Sequence, residues 1–437
     1  MSRKLVQDLA ELGIVRLVAG AALLARGLSW RLLGKPYRSL SDLCFAARAT
    51  SKGPLRALSL SLIFPTIRSL QRSTSNSLAR AYLDDPASTE LASIFSLAGS
   101  GKADLWRDLI VLKKHTPEEK GVILLKYART FSAVVALLDM PRVMARYTLV
   151  LEPCWAGYCD PSILMLISPG HPVIVQCFTE DDYRYIQSVG APLIPVRLGP
   201  ADWVDADTFA PPAAPVKIHD LVMVANWGAH KRHAQLFKAL GLIRDRKVRV
   251  LLAGFPWANR TADDIRREAA SFGIDPAQVE ILEKVPHTKL AGHVSQSKVF
   301  VFLTRKEGDN KALVEAMFAN VPSIVYDRTI GGAGSRVNAA TGVFASDAAL
   351  AEKIRYMLDN FQKFSPRAWA LEHTGSAVAT RVLDDALRSA VTASGGGYSA
   401  SIVEKTNAPN LAYKTPAIRE EFAADYEFIL DCRRAVV

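Results

Sequence analysis

A chain of 437 residues exceeds the size at which one hydrophobic core keeps growing, so two or more domains are expected, and its 49% hydrophobic residues suffice for substantial cores. Fifty-four Lys and Arg against 43 Asp and Glu leave a net +11, which favours an anionic partner without choosing among nucleic acid, a membrane surface and a phosphorylated substrate.

Residues 1–58 hold ten Lys or Arg and three Asp or Glu, a net +7, so most of the excess lies in the first eighth of the chain. Within "IVRLVAGAALLARGLSWRLLGKPYRSL" (14–40) the longest uncharged run, Leu17 to Ala25, is nine residues, against the roughly 20 that a spanning helix needs. The stretch therefore reads as a helix at a membrane surface or as a basic, partly buried domain helix. Asp8 and Glu11 precede any apolar stretch, which argues against a secretory signal peptide.

From 1 to about 115 the texture is that of helices and connections. Strand candidates follow, separated by helical stretches: "VILLKY" (122–127), "TLVLEP" (148–153), "PVIVQCF" (172–178) and "APLIPVRL" (191–198), up to a Pro/Ala linker at 210–217. A second set comprises "DLVMVAN" (220–226), "VRVLLAG" (248–254), "VEILEKV" (279–285), "KVFVFLT" (298–304) and "VPSIVYD" (321–327). Buried strands alternating with helices predict two tandem, Rossmann-like, doubly wound α/β domains facing a cleft. The expected division is a helical extension or diverged start over 1–115, a first Rossmann-like domain over 116–212, a second over 213–390, and a flexible break plus closing segment over 391–437. The five cysteines, Cys44, Cys154, Cys159, Cys177 and Cys432, form no CxxC pair and read as structural thiols in a reducing compartment.

The stretch "TRKEGDNKALVEAMFANVPSIVYD" (304–327) places Glu307 in a loop and Glu315 one turn into the helix that follows, which Asp309 or Asn310 can cap near Lys311. Backbone amides at such a helix start attract an anion, Gly308 permits close approach, and two carboxylates accept from hydroxyl donors. A phosphate flanked by hydroxyls, as in a nucleotide sugar, fits; a solvated helix start is the alternative reading. In "VMVANWGAHKRH" (222–233), Lys231 and Arg232 stand beside another helix start, where they either face a diphosphate or form a solvated surface.

Together these stretches resemble the family 4 retaining glycosyltransferases of the GT-B type. "EGDNKALVE" matches the family's glutamate pair, and "EAMFANVPSIVYD", "GGAGSRVNAATGVFASDAALAEKI" (331–354) and "ADWVDADTFAP" (201–211) match its other phrases in order. The resemblance covers roughly 200–360 and implies a donor site in the second domain. Glu315 would hold the ribose hydroxyls, Glu307 the donor sugar and Lys231 the diphosphate, the last two being the catalytic pair. Arg232, Asn226 and residues Gly308, Asp309, Asn310, Lys311 and Leu313, the last group through their amides, would complete donor binding. Asn226 stands where the family has arginine, Asn310 where it has a second glycine, and Asp309 where it has an aromatic or apolar residue.

The resemblance further implies retention of configuration, no bound metal, no cofactor besides the nucleotide-sugar substrate, and a donor phosphate that helps deprotonate the acceptor. The acceptor would be a glycan or lipid-linked glycan of a cell-surface polysaccharide, and the enzyme cytoplasmic, with peripheral contact to an anionic inner membrane face through the basic N-terminal region. A non-catalytic nucleotide-sugar-binding or scaffold protein is the alternative, motivated by Asn226 and Asp309. No nucleic-acid module accompanies the basic clusters, so nucleic acid is not an expected partner, and no GxGxxG follows a first strand, which disfavours a nicotinamide dehydrogenase. Glu152, Asp160, Gln176, Thr179, Glu180 and Asp181 follow first-domain strands and either face the cleft or serve ordinary helix capping.

Overall fold

The computed structural model describes residues 13–50, 53–72, 107–153, 160–407 and 409–433. The chain forms two compact units, one comprising residues 1–197, 383–403 and 415–437 and the other residues 198–382 and 404–414.

The first unit begins with helices Gly13–Leu32, Pro36–Thr50 and Pro54–Arg72, the helical N-terminal region expected from the sequence. Its sheet consists of β1 (Leu109–Lys113), β2 (Gly121–Lys126), β3 (Tyr147–Glu152), β4 (Val173–Gln176) and β5 (Leu193–Val196), in that spatial order. β1 is antiparallel to β2 and the rest are parallel. Strands β2 to β4 are buried at every position, which is why they read as unbroken apolar runs rather than alternating ones. The C-terminal helix Ala423–Asp431 belongs to this unit: the Val111 amide donates to the Tyr426 hydroxyl (3.2 Å) and the Tyr147 hydroxyl donates to Asp425 (2.6 Å). The "SGGGYSA" run, expected to be a flexible break, is tied down instead. Ser399 N donates to Glu119 (2.6 Å) and the Tyr398 hydroxyl to Asp384 (2.7 Å).

In the second unit β6 (His219–Val224), β7 (Val250–Gly254), β8 (Val279–Glu283), β9 (Ser297–Phe302), β10 (Ser323–Tyr326) and β11 (Gly342–Ala345) form one parallel sheet in the order β11-β10-β9-β6-β7-β8. A hydrophobic core covers each face of this doubly wound sheet, one around Trp227, Phe237 and Ile354, the other around Phe300, Leu313 and Phe318. The unit starts at Leu198, not after the Pro/Ala run at 210–217, because Ala201, Val204 and Phe209 are already buried in the second of those cores. A short hairpin, β12 (Lys405–Thr406) with β13 (Ala412–Tyr413), returns to the same unit.

Candidate functional site

Strand order in the second sheet reverses between β6 and β9, since the chain winds one way through β7 and β8 and the other way through β10 and β11. Loops leaving the carboxyl ends of two such strands diverge to opposite faces and leave a crevice, the usual ligand position of an open α/β sheet. The loops at this point are 225–232 and 303–310, the two stretches singled out in the sequence.

After β6, the Asn226 side-chain oxygen accepts from Gly228 N (3.0 Å), closing a turn that feeds the short 3-10 segment Ala229–Lys231. Arg232 then adopts a left-handed conformation (φ 65°, ψ 41°) before helix His233–Gly241. That conformation is unfavourable for a side chain with a Cβ, and the Arg232 guanidinium is correspondingly well held. It donates to Leu303 O (3.1 Å), pairs with Asp347 (2.5 Å) and lies 4.4 Å from the centre of the Tyr326 ring. The charge of Arg232, a residue expected to take part in donor binding, is thus engaged by Asp347. Lys231 is buried, with Nζ 2.7 Å from Glu307 Oε1.

The loop after β9 runs beside residues 329–332. Ile330 N donates to Arg305 O (2.7 Å), Glu307 N to Ile330 O (3.0 Å) and Gly332 N to Gly308 O (2.8 Å). Gly331, at φ 132°, permits this approach, because a Cβ there would lie 1.7 Å from Glu307 O. Asn310 caps helix Lys311–Phe318 by accepting from Leu313 N (2.8 Å), and the same side chain donates to Glu307 Oε1 (3.0 Å). Its φ of −82° is an ordinary N-cap value, so asparagine fits without strain where the family has a glycine. Glu307 is thereby fixed from both loops through Oε1, while its buried Oε2 has no protein hydrogen-bond partner.

Three further residues expected at the donor have groups engaged within the protein. Asp309 is buried, takes two hydrogen bonds from Arg336 Nη2 (both 2.9 Å) and accepts from Ala201 N (2.9 Å). Burial raises its pKa while the Arg336 charge pulls it back; Arg336, held also by Asp202 (2.9 Å), is raised further above its already high value. The Leu313 amide is consumed by the Asn310 cap. Lys311 directs its ammonium to Asn407 O (2.7 Å).

Glu315 is buried in the second turn of the helix, with Oε1 2.9 Å from His287 Nε2. His287 opens helix His287–Ser295 after β8 and meets the Phe209 ring edge-on at 5.0 Å. No sequence motif singled out His287; its position just past a strand's carboxyl end was the available signal. In the first unit, capping accounts for Thr179, which accepts from Asp182 N (3.1 Å), and for Asp160, which accepts from Ser162 N (2.9 Å). Glu152 and Gln176 are buried at strand ends. Cys44, Cys177 and Cys432 are buried, and Cys154 and Cys159 lie outside the described residues. Among the described residues no group of three or more His, Cys, Asp or Glu could hold a metal ion, and no helix is long and apolar enough to cross a membrane.

Residues 218–360, the segment that builds this crevice, match the family model described as glycosyl transferases group 1. Among solved structures the chain is similar to a sucrose-phosphate synthase from Thermosynechococcus elongatus, at 18% identity over 62% of this chain and 74% of that one (TM-score 0.49). It is similar also to Anabaena HepE in complex with UDP, at 14% identity over 61% and 78% (TM-score 0.48). A glycosyltransferase from Rickettsia africae aligns over 82% of this chain and 95% of its own at 13% identity (TM-score 0.49). A search of curated proteins returns no match.

Proposed function

We propose that the protein transfers a sugar from a nucleotide-sugar donor to an acceptor, with the donor held at the carboxyl edge of the second sheet. The observation that carries this reading is the Lys231–Glu307 pair at the strand-order reversal, inside the segment that matches glycosyl transferases group 1. Glu307 Oε2 is a buried acceptor with no protein partner, a costly arrangement unless a hydroxyl donor meets it. A donor sugar supplies that hydroxyl. Lys231, whose ammonium has three donors, contacts the diphosphate while keeping its bond to Glu307. The amides of Gly308, Lys311 and Ala312 join it at the helix start, and these fixed donors stabilise the leaving nucleotide in place of a metal. Glu315, oriented by His287, accepts from the ribose hydroxyls.

The resemblance to family 4 supports retention of anomeric configuration, a hexosyl donor, and a glycan or lipid-linked acceptor in cell-surface polysaccharide assembly, reached at the inner face of an anionic membrane. One feature favours a second reading, nucleotide-sugar binding without turnover: Asn226 stands where the family has a cationic side chain and is engaged in a turn. Incubation with a panel of nucleotide sugars and a glycan or lipid-linked glycan extract as acceptor separates the two. Nucleoside diphosphate release that Glu307→Gln abolishes, with retained configuration in the proton spectrum of the glycosylated acceptor, is the expected result. Donor binding without release would establish the second reading.

A further inference from the structure

Helix Gly13–Leu32 is 20 residues long, about 30 Å at 1.5 Å per residue. It meets helix Pro36–Thr50 through its small side. A Cβ at Gly20 would lie 2.5 Å from Thr50 Cγ2, and one at Gly27 3.1 Å from Leu43 Cγ, so glycines make the close approach, with Leu24 buried between them. The exposed large apolar side chains occupy the adjoining sector of the helix. Ile14, Leu17, Val18, Leu28 and Leu32 follow helical three- and four-residue spacing and are 70%, 55%, 64%, 38% and 90% exposed. Single exposed leucines are common on protein surfaces, but a continuous stripe along a whole helix marks an interaction surface.

No charge interrupts the stripe. At 3.6 residues per turn, Arg16, Arg26 and Arg31 fall roughly 100° or more from the line through Ile14, Ala25 and Leu32. The arginines share no single face of the helix, whereas the exposed apolar residues do. Residues 13–41 contain five Lys or Arg and no Asp or Glu. One of the five, Arg26, is paired with Asp42 (2.6 Å); Arg31 borders the stripe, Arg16 lies on the far side of the helix and Lys35 just past its end.

We propose that this face is a docking surface for an anionic lipid bilayer, with the helix lying in the interfacial plane, its apolar stripe among the acyl chains and its cations among the headgroups. An apolar stripe on a helix whose charged residues are all cations is the arrangement of an interfacial helix, and the cations match a negatively charged surface better than a neutral protein partner. The inference deepens the membrane contact named above, replacing attraction by scattered charges with insertion of one defined face. It does not depend on the donor site.

The test is flotation of the full chain with vesicles of phosphatidylcholine alone or mixed with phosphatidylglycerol, for the wild type, for Leu17→Glu/Val18→Glu/Leu32→Glu, and for Arg16→Gln/Arg31→Gln/Lys35→Gln. The wild type should float with anionic vesicles, the apolar variant should lose about tenfold or more in partitioning, and the charge variant should lose part of it. Circular dichroism and nucleotide binding serve as fold controls, since all six positions lie outside the donor site. Absence of wild-type flotation would overturn the proposal, as would an apolar variant that floats like the wild type. A wild-type dimer that this variant converts to monomer, without vesicle binding, would assign the face to a second copy of the chain. Failure of nucleotide binding with flotation intact would count against glycosyl transfer alone.

Discussion

Lys231 Nζ stands 2.7 Å from Glu307 Oε1, joining the loops that leave β6 and β9 where the order of the second sheet reverses. In the proposed reaction this ammonium faces the leaving diphosphate, where charge develops. Lys231→Ala should lower kcat by about 10²- to 10³-fold, as removal of one preorganised donor does elsewhere, with little loss of fold. Single-turnover kinetics with the preferred donor check this. A fall in affinity with kcat unchanged would make Lys231 a binding group only.

Asp309 and Arg336 are both buried and bonded to each other, and Arg336 without Asp309 keeps only Asp202 as a counter-charge while losing two hydrogen bonds. Asp309→Ala should cost about 1–3 kcal/mol of stability, the range for a buried group left without its partner, read as a lowered urea midpoint. A donor contact would show the opposite pattern: weaker nucleotide binding at unchanged stability.

The closeness of residues 331–332 to the Glu307 loop makes Gly331 and Gly334 a matched pair. A Cβ at Gly331 would lie 1.7 Å from Glu307 O at a φ of 132°, whereas one at Gly334 meets nothing closer than Thr329 Cγ2 at 3.8 Å. Gly331→Ala should therefore destabilise by about 2 kcal/mol or more and displace Glu307. Gly334→Ala should behave as wild type in thermal melts and turnover.

His233 is fully buried against Trp227, with both ring nitrogens lacking hydrogen-bond partners. Burial, assisted by Arg260, Lys231 and His230, lowers its pKa to about 3. The unfolded chain takes up this proton near pH 6.5 and the folded chain does not, so stability falls as pH drops from about 6.5 towards 3. At pH 5 the loss from this residue is about 2 kcal/mol. His233→Phe should remove it, so the stability difference between variant and wild type should shift by that amount in the variant's favour between pH 7 and pH 5. Urea titrations at the two pH values measure it.

Much of this architecture was legible because buried parallel strands carry long apolar runs, and nine of the strands fall within a few residues of where the sequence put them. Besides the short β12–β13 hairpin, two strands of the large sheets were missed for physical reasons. β1, "LIVLK", is an antiparallel edge strand within a helix-like composition, and β11, "GVFA", has only four residues. Unit boundaries were misplaced because composition marks flexible-looking runs, whereas the break follows core packing: the chain leaves the second unit at Val382, inside helix Ser376–Ala393, where no composition signal exists. Within the site, the glutamate spacing and the Asn310 cap were readable locally. The engagement of Arg232 by Asp347, of Asp309 by Arg336 and of Glu315 by His287 was not, because each partner lies 27 or more residues away and nothing local specifies it.

The central claim, that the second unit holds a nucleotide-sugar donor through Glu315 and the Lys231–Glu307 pair, is tested most directly by calorimetric titration of UDP, GDP, ADP and TDP into the wild type and Glu315→Ala. One nucleotide should bind to the wild type and lose about 1.5–3 kcal/mol of binding free energy in the variant, the range for hydrogen bonds to a charged group. Equal binding to both proteins, or no binding of any of the four, would contradict it.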